Sequence, residues 1–132
     1  KQRIRQIQRQ MAMQRMMKQV PEADVVVTNP TTYAVALRYD PSSMQAPVVV
    51  AKGMRLVAER IRNIATEHNV PIVERPELAR ALHKAIDVGQ PVPEDLFRAV
   101  AEVLAFVYRI DRRADKVRER AKANMAPRKK AV

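Results

Sequence analysis

Residues 24–39, DVVVTNPTTYAVALRY, hold the pattern that most restricts what this chain can become. Val25-Val26-Val27 is a continuous apolar run, so a strand from Ala23 to Thr28 must be buried on both faces. After Asn29-Pro30, Tyr33, Val35, Leu37 and Tyr39 alternate with Ala34, Ala36 and Arg38, which is the period of a second strand. Two strands joined by a short turn, one of them hidden on both sides, require a sheet with other elements packed over it.

The rest of the chain supplies those elements. Pro47 to Ala51 predicts a third strand, closed by Lys52-Gly53. Met54, Val57, Ala58, Ile61, Ile64 and Ala65 then recur at helical spacing, with Arg55, Glu59, Arg60, Arg62 and Asn63 pointing elsewhere. Val70 to Glu74 predicts a short fourth strand, whose Pro71 suits an edge or a strand start. Pro76-Glu77 opens a helix with Leu78, Leu82, Ala85 and Ile86 inward, ended by Val88-Gly89-Gln90-Pro91. Pro93-Glu94-Asp95 opens another, with proline in its first turn and two acids at the positive end of the dipole. Leu96, Val100, Val103, Leu104 and Val107 form its inner stripe, and beyond Tyr108 the pattern dissolves into charge. The predicted class is α/β: a small central sheet of four strands surrounded by about four helices, entered through a helical N-terminal linker.

Charge divides the chain into three. Residues 1–20 carry Lys1, Arg3, Arg5, Arg9, Arg15 and Lys18 with no acid. Ile4, Ile7, Met11 and Val20, with Met16 and Met17 between, give this stretch a helical spacing that Pro21 stops. It reads as a basic, solvated linker helix. Residues 21–110 form the α/β domain, close to neutral. Residues 111–132 read as a basic, flexible tail, with Ala126 to Val132 disordered. The formal charge of +11 therefore lies mainly in two arms. Nucleic-acid binders place basic stripes beside aromatics on the fold, and these arms carry no aromatic, so no nucleic acid is expected. Anionic lipid headgroups are an equally physical partner for such arms. Absence of cysteine excludes disulfides and thiolate zinc sites. No apolar run reaches the length that spans a bilayer. The opening Lys1-Gln2-Arg3, without methionine, points to a piece of something longer.

Chemistry has few places to reside. Two glycines cannot build a phosphate-cradling loop. His68 and His83 lie on different predicted helices, with no ligand spacing around them, and read as ordinary imidazoles. Met11, Met13, Met16 and Met17 read as helix packing or a flexible partner face rather than a metal stripe. No cofactor is expected. Thr28-Asn29-Pro30-Thr31 remains. Taken alone it is a β-turn with asparagine first and proline second. Asparagine before proline also has a cutting option. Its side-chain nitrogen can attack its own backbone carbonyl carbon, close a succinimide and expel the next residue as an amine. The usual competing cyclisation uses the next backbone N–H, which proline lacks. Two strong strands could hold Asn29 in a near-attack geometry.

The segment VVVTNPTTYAVALRYD resembles the self-cleavage segment of the FlhB/YscU/SpaS-type switch family of type III protein export. The resemblance continues through AKG at 51–53, VPIVE at 70–74, LARAL at 78–82 and PEDL at 93–96, which are similar to the flagellar branch, and covers most of residues 10–110. It implies an N-terminal membrane domain absent here, and a location at the cytoplasmic face of the bacterial inner membrane. It also implies a single cut at Asn29-Pro30, with Asn29 as nucleophile and Pro30 as leaving amine. After the cut the export gate would turn from rod and hook substrates to filament substrates. The implied partners are other export-gate components, a secreted hook-length control protein, the exported substrates and their chaperones. The reaction would be one intramolecular event without turnover. The family motif reads Asn-Pro-Thr-His; here Thr31 shapes the turn and Thr32 stands where the histidine would be. A threonine hydroxyl cannot relay a proton near neutral pH as imidazole can, so a slower reaction is expected. The rival reading is an uncleaved docking platform for export substrates and chaperones.

Overall fold

The computed structural model describes the backbone of residues 1–125 and the side chains of residues 1–111. Four strands, β1 (Val25–Asn29), β2 (Tyr33–Arg38), β3 (Val48–Met54) and β4 (Ile72–Glu74), form one sheet in the order β3-β2-β1-β4. β1 pairs antiparallel with β2, β2 antiparallel with β3, and β4 lies parallel to β1. Four helices accompany them: α1 (Gln2–Gln19), α2 (Leu56–Glu67), α3 (Pro76–Ala85) and α4 (Glu94–Met125). The α/β class, the four strands and the helical entry are as the sequence predicts.

The alternation read in β1 and β2 sorts the core into two layers. Val25, Val27, Val35 and Leu37 join Ala79, Leu82, Val100 and Val103 on the face covered by α3 and α4. Val26, Ala34 and Ala36 join Ala58, Ile61 and Ala65 of α2 and Met17 of α1 on the other. The sheet is thus the middle of three layers, and Val25, Val26 and Val27 are all fully buried because both sides are covered. Small residues at Ala34 and Ala36 let α2 sit close to the sheet.

Four local readings differ from the sequence pattern. β3 runs through Lys52-Gly53 to Met54 rather than closing at Ala51. Met54 ends that strand, 43% exposed, and is not part of the helical stripe of α2. Pairing across from β2 supplies the extra ladder, with Tyr33 opposite Met54 and Ala34 opposite Gly53. A bulge also falls within β3, since Ala36 pairs with Ala51 and Leu37 with Val49. It leaves Val50 without a direct partner. On α3, Ala85 ends the helix and is exposed, while Ile86 just beyond it is buried. The fourth difference is α4, which continues to Met125 through the charged stretch expected to be a flexible tail. Residues 111–125 are rich in Ala, Arg and Lys and hold no Gly or Pro, so propensity favours continuing the helix. The expected disorder of Ala126–Val132 lies outside the described residues.

The basic α1 is a helix with Ile4, Ile7 and Met11 about half exposed or more. Its end is different: Met17 in the last turn and Val20 just beyond it are buried against α2 and the sheet. No helix among the described residues is long and apolar enough to cross a membrane. On the β3 edge, the segment after α3 forms a strap. Gly89 N–H donates to Val49 O at 2.7 Å, Val49 N–H to Gln90 O at 3.0 Å and Val92 N–H to Pro47 O at 2.8 Å. Gly89 takes φ +90 to make that turn.

Gly53 is needed for space rather than for backbone freedom. A Cβ there would overlap the Val57 side chain and stand 3.3 Å from Ala58 N, where α2 leaves the sheet. Gly53→Ala is expected to cost about 1–3 kcal/mol by overpacking. The measurement is the urea midpoint; an unchanged midpoint would show that Val57 yields freely.

Candidate functional site

The Asn29-Pro30 turn closes the β1–β2 hairpin at the end of the sheet where α2 and α3 begin. Asn29 is the last residue of β1 and Tyr33 the first of β2, and the two are Cα partners. Thr32 N–H donates to Asn29 O at 3.0 Å, which closes the turn. Pro30 occupies the second position, for which its fixed φ is suited, and Thr31 the third with φ +64. Proline followed by a positive φ is the pattern of a type II turn, whose third position normally takes glycine or asparagine. A β-branched threonine there is strained. Thr31→Gly is expected to stabilise uncut protein by about 0.5–1 kcal/mol, relief of strain exceeding the entropy of the added glycine. The check is the melting temperature; a fall would mean Thr31 makes compensating contacts.

Backbone hydrogen bonds anchor both flanks. Thr28 is buried, and its carbonyl accepts from Arg75 N–H at 2.9 Å. Thr32 O accepts from Arg55 N–H at 2.8 Å. Arg55 and Arg75 are the N-cap residues of α2 and α3, so each helix start uses one of its unsatisfied N–H groups to hold one side of the turn. Arg55 itself takes φ +51, a second strained residue beside the first. Asn29 and Thr32 are half-buried; Pro30 and Thr31 are exposed. Among the described residues no side-chain hydrogen bond ties up the Asn29 amide. Its nitrogen is therefore unengaged, beside a carbonyl whose oxygen already accepts an N–H.

The four residues singled out from sequence lie together by adjacency. The fold adds residues that the sequence pattern passed over. Cross-strand partners project to the same face, so Tyr33 shares the α3 side with Asn29. The Tyr33 ring packs on the His83 ring, centroids 4.8 Å apart and planes inclined 45°. Lys52, from β3, donates from Nζ to His83 O at 2.8 Å. Burial first, and then the Lys52 charge, lower the His83 pKa from the usual imidazole value. His68, by contrast, is exposed at the end of α2, with Nδ1 3.0 Å from Ile64 O. Arg55 and Arg75 left no signal, because they act through backbone N–H groups that every residue but proline carries. The spacing of His83 to Tyr33 could be found only from the packing of α3 on β2.

A separate groove of about 710 Å³ lies between α3 and α4, lined by Leu78, Ala81, Leu96 and Val103 with Arg75 and Glu102 among its polar residues.

A family model described as the FlhB HrpN YscU SpaS Family matches residues 1–107. The flagellar biosynthetic protein FlhB of Salmonella typhimurium is 57% identical over 110 residues, covering 83% of this chain and 29% of that protein. FlhB of Bacillus subtilis is 54% identical over 109 residues, covering 83% of this chain and 30% of that protein. The chain thus spans under a third of the length of these curated relatives. Among solved structures, the cytoplasmic domain of FlhB from Shewanella putrefaciens superposes with a TM-score of 0.76 at 46% identity, covering 79% of this chain and 80% of that one. A mutated EscU C-terminal domain superposes at 0.68 with 30% identity, covering 70% and 92%.

Proposed function

The chain belongs to the FlhB HrpN YscU SpaS family, and from that premise we propose that it is the self-cleaving specificity switch of a flagellar type III export apparatus. The observation that carries the proposal is the anchored Asn29-Pro30 turn, strained at Thr31 and with the Asn29 carbonyl already polarised by Thr32 N–H. Asn29 Nδ2 attacks the Asn29 carbonyl carbon. Charge develops on Asn29 O, toward which Thr32 N–H points as a preorganised donor. The C–N bond to Pro30 then breaks, the proton lost by Nδ2 is balanced by one gained at the Pro30 nitrogen, and Asn29 is left as a C-terminal succinimide that water opens. Thr32 in the histidine place slows the step, because its hydroxyl does not relay protons near neutral pH. Its backbone N–H serves whatever side chain stands there. The event occurs once per chain, so it is not turnover.

The two pieces stay together in this reading. β1 keeps its ladders to β2 and β4 and its burial on both faces, none of which depends on the cut bond. The turn alone is released, and with it the surface seen by partners. Those partners would be other export-gate components, the hook-length control protein, and rod, hook and filament substrates with their chaperones, at the cytoplasmic face of the inner membrane. The basic α1, with Ile4 and Ile7 exposed, suits an anionic bilayer surface nearby. Intact-mass analysis of purified protein over days tests the cut: two species that sum to the whole chain plus water support it, and a permanently whole chain removes it. The uncleaved docking platform finds its support in the α3–α4 groove. A pure platform would still serve both export classes with alanine at position 29.

A further inference from the structure

The half-buried His83 is not used by the cut as described, although it packs on the residue that pairs with Asn29. Tyr33 follows the turn directly, is opposite Asn29 across the hairpin, and rests its ring on His83. The His83 main chain is in turn clamped to the sheet by Lys52 Nζ. A connected path therefore runs from β3 through α3 to Tyr33 and the turn. We propose that His83 is a positioning residue for the Asn29-Pro30 turn: its neutral imidazole holds Tyr33, and so Asn29, in place, and protonation loosens that hold. The effect on cleavage rests on the self-cleavage reading; the coupling between His83 and the turn does not.

The charges around His83 favour the neutral form at physiological pH. Lys52 approaches from β3, and Tyr33 from β2 is a neutral phenol. β1 presents Val25, Val27 and Asn29 to this face, none charged. On its own segment the charged neighbours are Arg80 and Lys84 on α3 and Asp87 beyond the helix end. Glu102 of α4 lines the groove with Leu78 and Ala81, on another side of α3. A Tyr ring attracts an imidazolium; burial and the Lys52 charge oppose it and lower the His83 pKa. The sign follows. The folded protein binds fewer protons at His83 than the unfolded chain does, so this contribution is complete above the ordinary imidazole range and is lost as pH falls toward the lowered folded value.

The experiment has two arms. In the uncut Asn29→Ala variant, NMR follows the His83 ring and the Thr31 and Thr32 amides from pH 7.5 to 4.5. The expected result is one shared midpoint, below the ordinary histidine value, that vanishes from the amides in an added His83→Phe substitution. Phenylalanine keeps a ring beside Tyr33 but cannot titrate; His83→Tyr serves the same purpose if the first variant does not fold. In the otherwise unsubstituted chain, cleavage is expected to slow on the acid side about 5-fold more than in His83→Phe, a change typical of positioning rather than of lost chemistry. Amides that ignore the His83 midpoint would overturn the proposal, as would an identical acid-side slowing in the variant. If the chain is never cut at any pH, the self-cleavage reading fails by itself and the amide titration still decides the coupling.

Discussion

With Asn29 replaced by alanine, the chain is expected to remain a single 15.1 kDa species under denaturing conditions, whereas the unsubstituted protein is expected to separate over days into residues 1–29 and 30–132. The difference is all or none because alanine has no side-chain nitrogen, and nothing else in the turn can form the five-membered ring. The fold should survive. Asn29 is half-buried at a strand end, and its amide makes no side-chain hydrogen bond among the described residues. Its pairing with Tyr33 is through the backbone. Pro30→Ala sharpens the test. It restores a backbone N–H at position 30, so the competing cyclisation opens and mass spectrometry should find deamidated, uncut chain about 1 Da heavier. Cleavage in Asn29→Ala would mean that a protease or another residue cuts the chain.

The second large effect lies in the core. Leu37→Ala should lower stability by about 2–5 kcal/mol, through lost burial and a cavity the layers cannot fill. Leu37 is fully buried in the central strand β2, between Val25 on one side and Val49 on the other, beneath α3 and α4. A loss near the middle of that range corresponds to a melting temperature lower by roughly 10 °C for a domain of this size. Ile4→Ala, on the solvated start of α1 where Ile4 is 62% exposed, should change stability by no more than about 0.5 kcal/mol. Equal effects at the two positions would contradict the layered core. The Leu37 variant also bears on function, because β2 supports Tyr33 and Thr32; faster cutting or none in a loosened sheet would show how far the reaction depends on the held geometry.

Much of this molecule was legible along the chain. The run Val25-Val26-Val27 implied a strand covered on both faces, and the alternation from Tyr33 to Leu37 already separates the two core layers. Pro71 marked the edge strand and Pro76 and Pro93 the helix starts. Such features are local: side-chain period, missing N–H groups and fixed φ are properties of neighbouring residues. Asn29-Pro30 belongs with them, since its chemical option is contained in two adjacent residues.

What the chain could not disclose depends on residues far apart in sequence. The extension of β3 to Met54 and the bulge at Val50 follow from pairing with β2, and pairing is decided between strands. The N–H groups of Arg55 and Arg75 reach the turn only because α2 and α3 start at the same end of the sheet. His83 looked ordinary until α3 packed across β2 and laid its ring on Tyr33. The sequence by itself determined that the turn contains the atoms for a cut, whereas the tertiary structure decided how firmly, and by which neighbours, those atoms are held. Bond-making options are covalent and local; positioning is a matter of packing between distant segments.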